Sequence, residues 1–134
     1  VTLVQMQPRS AGADPAPQTV ENAMEAPGPQ VCDDMTVEVA LSVMAGARTG
    51  HLLVCDDDGL CTGLVTRARL AAVRAGGAYT DRIRLRDVLG DSGPFASPMT
   101  MVAEAEHAMR YRRLDAVPVV DEHGGALGVL ALAR

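Results

Sequence analysis

The 134-residue chain has no tryptophan and no lysine, and its aromatics are limited to Tyr79, Phe95 and Tyr111. With so few rings, a buried interior has to be packed with Val, Leu, Ala and Met. Hydrophobic residues make up 48% of the chain, enough for one domain or two small halves sharing a core. All twelve basic residues are arginine, a bias that fits a GC-rich bacterial genome and says little about function. Seventeen acids outnumber them, and the net charge of −5 argues against general nucleic-acid binding, which needs a basic surface to neutralise phosphates. No apolar run approaches the roughly 18–20 residues of a membrane span. The N-terminus lacks the basic-then-apolar order of a secretion signal.

Three cysteines (Cys32, Cys55 and Cys61) are an odd number in a short chain. That fits a reducing cytoplasm better than a disulfide framework, although Cys55 and Cys61 flank one hairpin loop and are placed to face each other. Catalytic groupings are missing as well: the sequence shows no HExxH, zinc-finger spacing, phosphate loop, nucleophile elbow or convincing carboxylate pair. Asp56-Asp57-Asp58 lacks the closing Glu of a calcium loop and reads as a solvated turn. The expectation is a protein that is not an enzyme, holds no metal and needs no cofactor.

What the chain does contain is an internal repeat. Residues 51–69, HLLVCDDDGLCTGLVTRAR, align without a gap on 116–134, AVPVVDEHGGALGVLALAR, at an offset of 65. Identities fall at Val54/Val119, Asp56/Asp121, Gly59/Gly124, Gly63/Gly128, Ala68/Ala133 and Arg69/Arg134. The same offset pairs Val37 with Val102, Ala40 with Ala105, Met44 with Met109 and Arg48 with Arg113, giving ten identities in 34 positions.

In the first copy, Thr36 is suited to cap a helix whose apolar face is Val37, Ala40, Leu41, Met44 and Ala47. A buried strand follows at 51–55, then a turn at 56–59 with Gly59 in its left-handed position, and a second strand at 60–65. A second helix runs from Thr66 to about Ala75 and stops at Gly76-Gly77. The second copy predicts a helix over 102–112, a strand over 117–120, a turn over 121–125 and a strand over 126–130. Pro118, lacking an N–H, is expected at an edge or at a strand start. Met44 and Met109 are expected in the core. Arg110, Arg112 and Arg113 suit the negative end of a helix. Residues 1–30 hold five of the eight prolines and read as a mobile tail in which only 18–26 has helical character. The domain reading is therefore a tail at 1–30, a first repeat at 31–77, a connecting segment at 78–95 and a second repeat at 96–134.

The order helix, strand, Gly turn, strand, helix, with Val-Cys-Asp or Val-Val-Asp closing the first strand and Gly-Leu-Val-Thr or Gly-Val-Leu-Ala in the second, resembles the cystathionine-β-synthase (CBS) domain. Two in tandem over residues 31–134 resemble a CBS pair, or Bateman module; RIRLRDVL is similar to its inter-domain segment. The resemblance implies an α/β (α+β) fold of two pseudo-symmetric repeats with clefts between them. It implies regulatory ligands such as AMP, ADP, ATP or S-adenosylmethionine, and association of two modules through their helices.

Against the family's ligand motif, Gly-apolar-apolar-Thr/Ser-x-x-Asp, the first copy reads Gly63-Leu64-Val65-Thr66-Arg67-Ala68-Arg69 and the second Gly128-Val129-Leu130-Ala131-Leu132-Ala133-Arg134. A guanidinium has no acceptor for ribose hydroxyls, but it grips phosphate well. The candidate ligand residues are Thr66, Arg67, Arg69 and His51 in the first copy, and Val117 and Arg134 in the second. Two functions stay open: a regulatory sensor of a nucleotide-like or other phosphorylated ligand, or a ligand-free scaffold for dimerisation or protein interaction. Arg69 and Arg134 likewise read either as phosphate ligands or as solvated or acid-paired side chains. The second copy has no counterpart to the trailing helix of the first, so apolar strand surface is expected to be covered by the N-terminal segment, a partner subunit or solvent. A self-complementary homodimer is the expected assembly. Sedimentation should show a mass of two chains; a concentration-independent monomer would contradict it.

Overall fold

The computed structural model describes residues 18–90 and 93–132. The elements are α1 (Val20–Ala23), β1 (Gln30–Cys32), α2 (Val37–Ala47), β2 (His51–Cys55), β3 (Cys61–Thr66), α3 (Arg67–Ala75), α4 (Leu85–Leu89), α5 (Val102–Tyr111), β4 (Ala116–Val120) and β5 (Ala126–Ala131). The first repeat carries a three-stranded sheet in the order β1-β2-β3, with β1 parallel and β3 antiparallel to β2. The second carries the antiparallel pair β4-β5. Both hairpins have a register shift near the turn, between Val54 and Cys55 and between Val119 and Val120.

Local chemistry sets these elements. The Thr36 hydroxyl accepts the Val39 N–H at the start of α2, and the Thr66 hydroxyl accepts the Arg69 N–H at the start of α3. In the turns, Asp56 Oδ1 accepts the N–H groups of Asp58 and Leu60, and Asp121 Oδ1 those of His123 and Gly125. The N–H groups of Gly125 and His123 hold the Asp121 carboxyl below its ordinary range. Gly59 and Gly124 take the positive φ that closes each turn.

The core has three parts. Val37, Ala40, Met44, Leu52, Val54, Val65, Leu70 and Leu85 pack in the first repeat. Val20, Ala96, Ala105, Met109, Val117, Val119 and Leu130 pack in the second. Between the sheets lie Leu53, Cys61 and Val129. Met44 and Met109 are both core residues, as their matched positions imply.

The two halves are fastened by exchanged segments. The stretch before the second repeat packs on the first: Thr36 bridges Arg84, Leu85 N–H donates to Met35 O, and Val37 N–H to Ile83 O. At the same offset of 65, the stretch before the first repeat packs on the second: Thr19 bridges Met101, Val20 N–H donates to Thr100 O, and Val102 N–H to Gln18 O. Val20 is fully buried. Burying a valine contributes about 2 kcal/mol, which a four-residue helix could not supply from its own hydrogen bonds.

This moves one expected boundary. Composition predicts a mobile tail to residue 30, but residues 18–30 are part of the fold; the rest of that stretch lies outside the described residues. The N-terminal segment is thus one cover of the second repeat, and Glu25 bridges Val129 of β5. Pro118 lies on an edge strand, as its missing N–H implies, because among the described residues β5 is the only strand paired with β4. It sits in the middle of β4, paired with Val129. Its carbonyl accepts the Ala96 N–H, so its nitrogen lies on that same side of the strand. In the first repeat the matching residue, Leu53, donates its N–H to Pro29 O. Without that donor, the lead-in of the second repeat keeps only the bridge Ala96–Val119 and forms no three-residue strand.

The repeated glycines of the second strands make room for the exchanged segments. A Cβ on Gly63 would come 3.1 Å from the Leu89 side chain, whereas one on Gly128 would collide with the Glu25 carbonyl. Gly128→Ala should therefore destabilise by about 1–3 kcal/mol, as overpacking against backbone does, and Gly63→Ala by less. Urea denaturation of the two variants checks the order.

Candidate functional site

The first-copy candidates cluster where β2 begins and β3 passes into α3. His51 and Thr66 are opposite each other in the ladder, and Arg67 N–H donates to Gly50 O. His51 is half-buried, and its Nε2 lies 4.0 Å from where a Cβ on Gly28 would stand, so the lead-in to β1 passes over it. The polar groups here are committed locally. The Thr66 hydroxyl caps α3, the Arg67 guanidinium donates to Thr49 O at 3.3 Å, and that of Arg69 donates to Val88 O at 2.8 Å. Arg69 thus ties α3 to the C-terminal end of α4, an anchoring role that neither alternative foresaw.

Val117 belongs to a different place. It is 5% exposed, packs in the second core and lines a cavity of about 220 Å³ between α5, β4 and the lead-in 94–97. Ala96, Ala105, Ala108, Met109 and Leu114 form its apolar wall. Phe95, 39% exposed, stands at its side with Ser97, Thr100, Glu104 and Arg112. Arg134 lies outside the described residues.

The cavity has a volumetric cause. At the matched positions of the first repeat stand Val31, Met35, Val43 and Leu52, all packed in that core. Here their partners are Ala96, Thr100, Ala108 and Val117, each smaller. Neither the helical periodicity nor the motif pointed to this cavity; comparing side-chain volumes across the offset would have.

Beyond these two places, the Cys32 thiol lies 3.9 Å from an Asp33 carboxylate oxygen and 3.6 Å from one of Asp57, which puts three possible metal-ligating groups together. Arg86 lies 3.8 Å from Asp33 and already offsets its charge. All three cysteines are free, and Cys55 and Cys61 are ladder partners, as the hairpin implied. Burial pushes the Cys61 thiol up to about 11 and raises that of Cys55, with Asp56 adding to the latter. At Cys32 the Asp34 N–H favours the thiolate, but the Asp34 carboxylate and Asp57 outweigh it and the thiol is raised. Among the described residues, no helix is long and apolar enough to cross a membrane.

Two pseudo-symmetric α/β repeats that cover each other with exchanged segments define a tandem-repeat module of the α+β class. The CBS domain family model matches twice, over residues 20–76 and 85–133, and the chain belongs to that family. It is similar to the structure of CBSX2 in complex with AMP, at 22% identity and TM-score 0.71, over 85% of this chain and 90% of that one. Hypoxic Response Protein I with two coordinated zinc ions shares 22% identity at TM-score 0.75, over 85% of this chain and 93% of that one. A CBS domain pair in complex with 5′-methylthioadenosine and S-adenosyl-L-methionine shares 17% identity at TM-score 0.74, over 87% of this chain and 90% of that one. No curated protein sequence shows significant similarity.

The burial order gives a reactivity order. Iodoacetamide near neutral pH should label half-exposed Cys32 first and Cys61 only after denaturant is added, read by peptide mass spectrometry.

Proposed function

We propose that the chain is a non-catalytic regulatory CBS pair that binds an adenine-nucleotide-like or other phosphorylated ligand, acting as a homodimer in the cytoplasm. The observation that carries this reading is the second-repeat cavity. Its alanine, methionine, leucine and valine wall suits a flat apolar base, and Phe95 offers a ring for it to stack on. Arg112 supplies a fork for an anionic group, and Glu104 an acceptor for hydroxyls. At about 220 Å³ the cavity is base-sized, so sugar and phosphate would lie toward its rim. The AMP and S-adenosylmethionine complexes of similar structures support the ligand class.

Thr66, Arg67, Arg69 and His51 form the second proposed contact region. Ligand phosphate there would have to compete with the Val88 carbonyl for Arg69. That engagement favours the alternative reading, a ligand-free scaffold, for the first repeat. Exposed Val39 and Tyr111 would then serve association through the helices that carry them.

A dye-reported thermal melt against AMP, ADP, ATP and S-adenosylmethionine separates the readings. A ligand at a hundred times its Kd adds about 2.7 kcal/mol, a rise of several degrees in Tm for a domain of this size. The expected result is a rise with one of the four that Arg112→Ala abolishes and Arg69→Ala leaves in place. No rise with any of them favours the scaffold.

A further inference from the structure

The first repeat carries a row of thiols that the ligand reading does not use. Cys32 on β1 is in parallel register with Cys55 on β2, and Cys55 is in antiparallel register with Cys61 on β3. We propose that Cys32 and Cys55 form a reversible disulfide between β1 and β2 on exposure to a neutral hydroperoxide.

The register makes the bond feasible. Neighbouring strands run about 4.8 Å apart, and a disulfide accepts Cα separations of about 4.4–6.8 Å. Cys55 therefore has two geometrically permitted partners, and its thiol shows which one it leans toward. It donates to the Gln30 Oε1 at 3.4 Å, and Gln30 sits two residues before Cys32, on the same face of β1. The Cys61 thiol points along its own strand to the Gly63 carbonyl at 3.8 Å and is packed with Leu53 and Val129. Access favours Cys32, which is half-exposed where Cys55 and Cys61 are buried. Asp34 and Asp57 beside it repel anionic oxidants, which leaves an uncharged peroxide as the matching class.

The Cys32 thiolate attacks one peroxide oxygen, the O–O bond breaks, and the other oxygen takes a proton and leaves as water or alcohol. Cys32 is then a sulfenic acid. The Cys55 thiolate attacks that sulfur, the S–S bond forms and the S–O bond breaks, and the departing hydroxide is protonated to water. Two thiols lose two electrons and the peroxide gains them; a dithiol reverses the change. The bond would fasten β1, and with it the lead-in that crosses from the second repeat, to the central strand. It does not depend on nucleotide binding.

The test uses the full chain, hydrogen peroxide, alkylation of remaining thiols and a non-reduced tryptic digest. Cleavage after Arg48 separates Cys32, on segment 10–48, from Cys55 and Cys61, which share segment 49–67. The expected product is a single chain with 10–48 joined to 49–67. That link should persist in Cys61→Ser, vanish in Cys32→Ser and Cys55→Ser, and be undone by dithiothreitol. The oxidised chain should also melt at a higher temperature than the reduced one. A link confined to 49–67, a link between two chains, or one that survives Cys55→Ser would overturn the proposal. So would a Cys32 carried to sulfinic acid unlinked, or a lower melting temperature on oxidation.

Discussion

The fold depends on a reciprocal exchange of short segments. Neither repeat completes its own core: α2 and α3 pack on the first sheet and α5 on the second, but α4 closes the first and α1 closes the second, each held by backbone bonds to the other's lead-in. These bonds are individually modest, about 1 kcal/mol net. They matter because each places an apolar side chain, Leu85 or Val20, in a core that would otherwise be open to water. The exchange also fixes what the second strands can be. Only a residue without a side chain lets Glu25 and Met24 lie against β5, so Gly128 serves the cover and the strand at once. The matching Gly63 serves Leu89 in the same way.

Much of this was legible in the sequence, for physical reasons. The Asp–Gly turns, the Thr caps and the two methionines recur at one offset because each answers a local demand that both copies share. The segment 18–30 was not legible. It opens on a four-residue helix, which gains almost all its stability from neighbours and so leaves little periodic signal. Carrying the offset upstream would have matched Val20 with Leu85, Ala23 with Val88 and Met24 with Leu89. The candidate site was legible only in part. A motif shows that Arg replaces Asp at position 69, but not that the guanidinium reaches 19 residues along the chain to a helix end.

Pro118 shows how a single missing donor reshapes an element. The backbone path of the second lead-in mirrors that of the first, and the Ala96–Val119 bridge matches Val31–Val54. Loss of one N–H turns a strand into a bridge and leaves residues 94–97 with fewer bonds to the sheet. That looser edge is one wall of the cavity.

The two halves have diverged in what that frame holds. Where the first repeat places Cys32, Cys55 and Cys61, the second has Ser97, Val120 and Ala126 and no thiol chemistry. Where the second opens a cavity, the first is filled by Val31, Met35, Val43 and Leu52. Side-chain volume decides the second difference and side-chain type the first; neither disturbs the turns, caps or exchanged segments. A frame held by backbone bonds and two glycines leaves its inward and edge positions free to specialise. In a pair of matched halves, chemistry is therefore to be sought where the copies disagree, and stability where they agree.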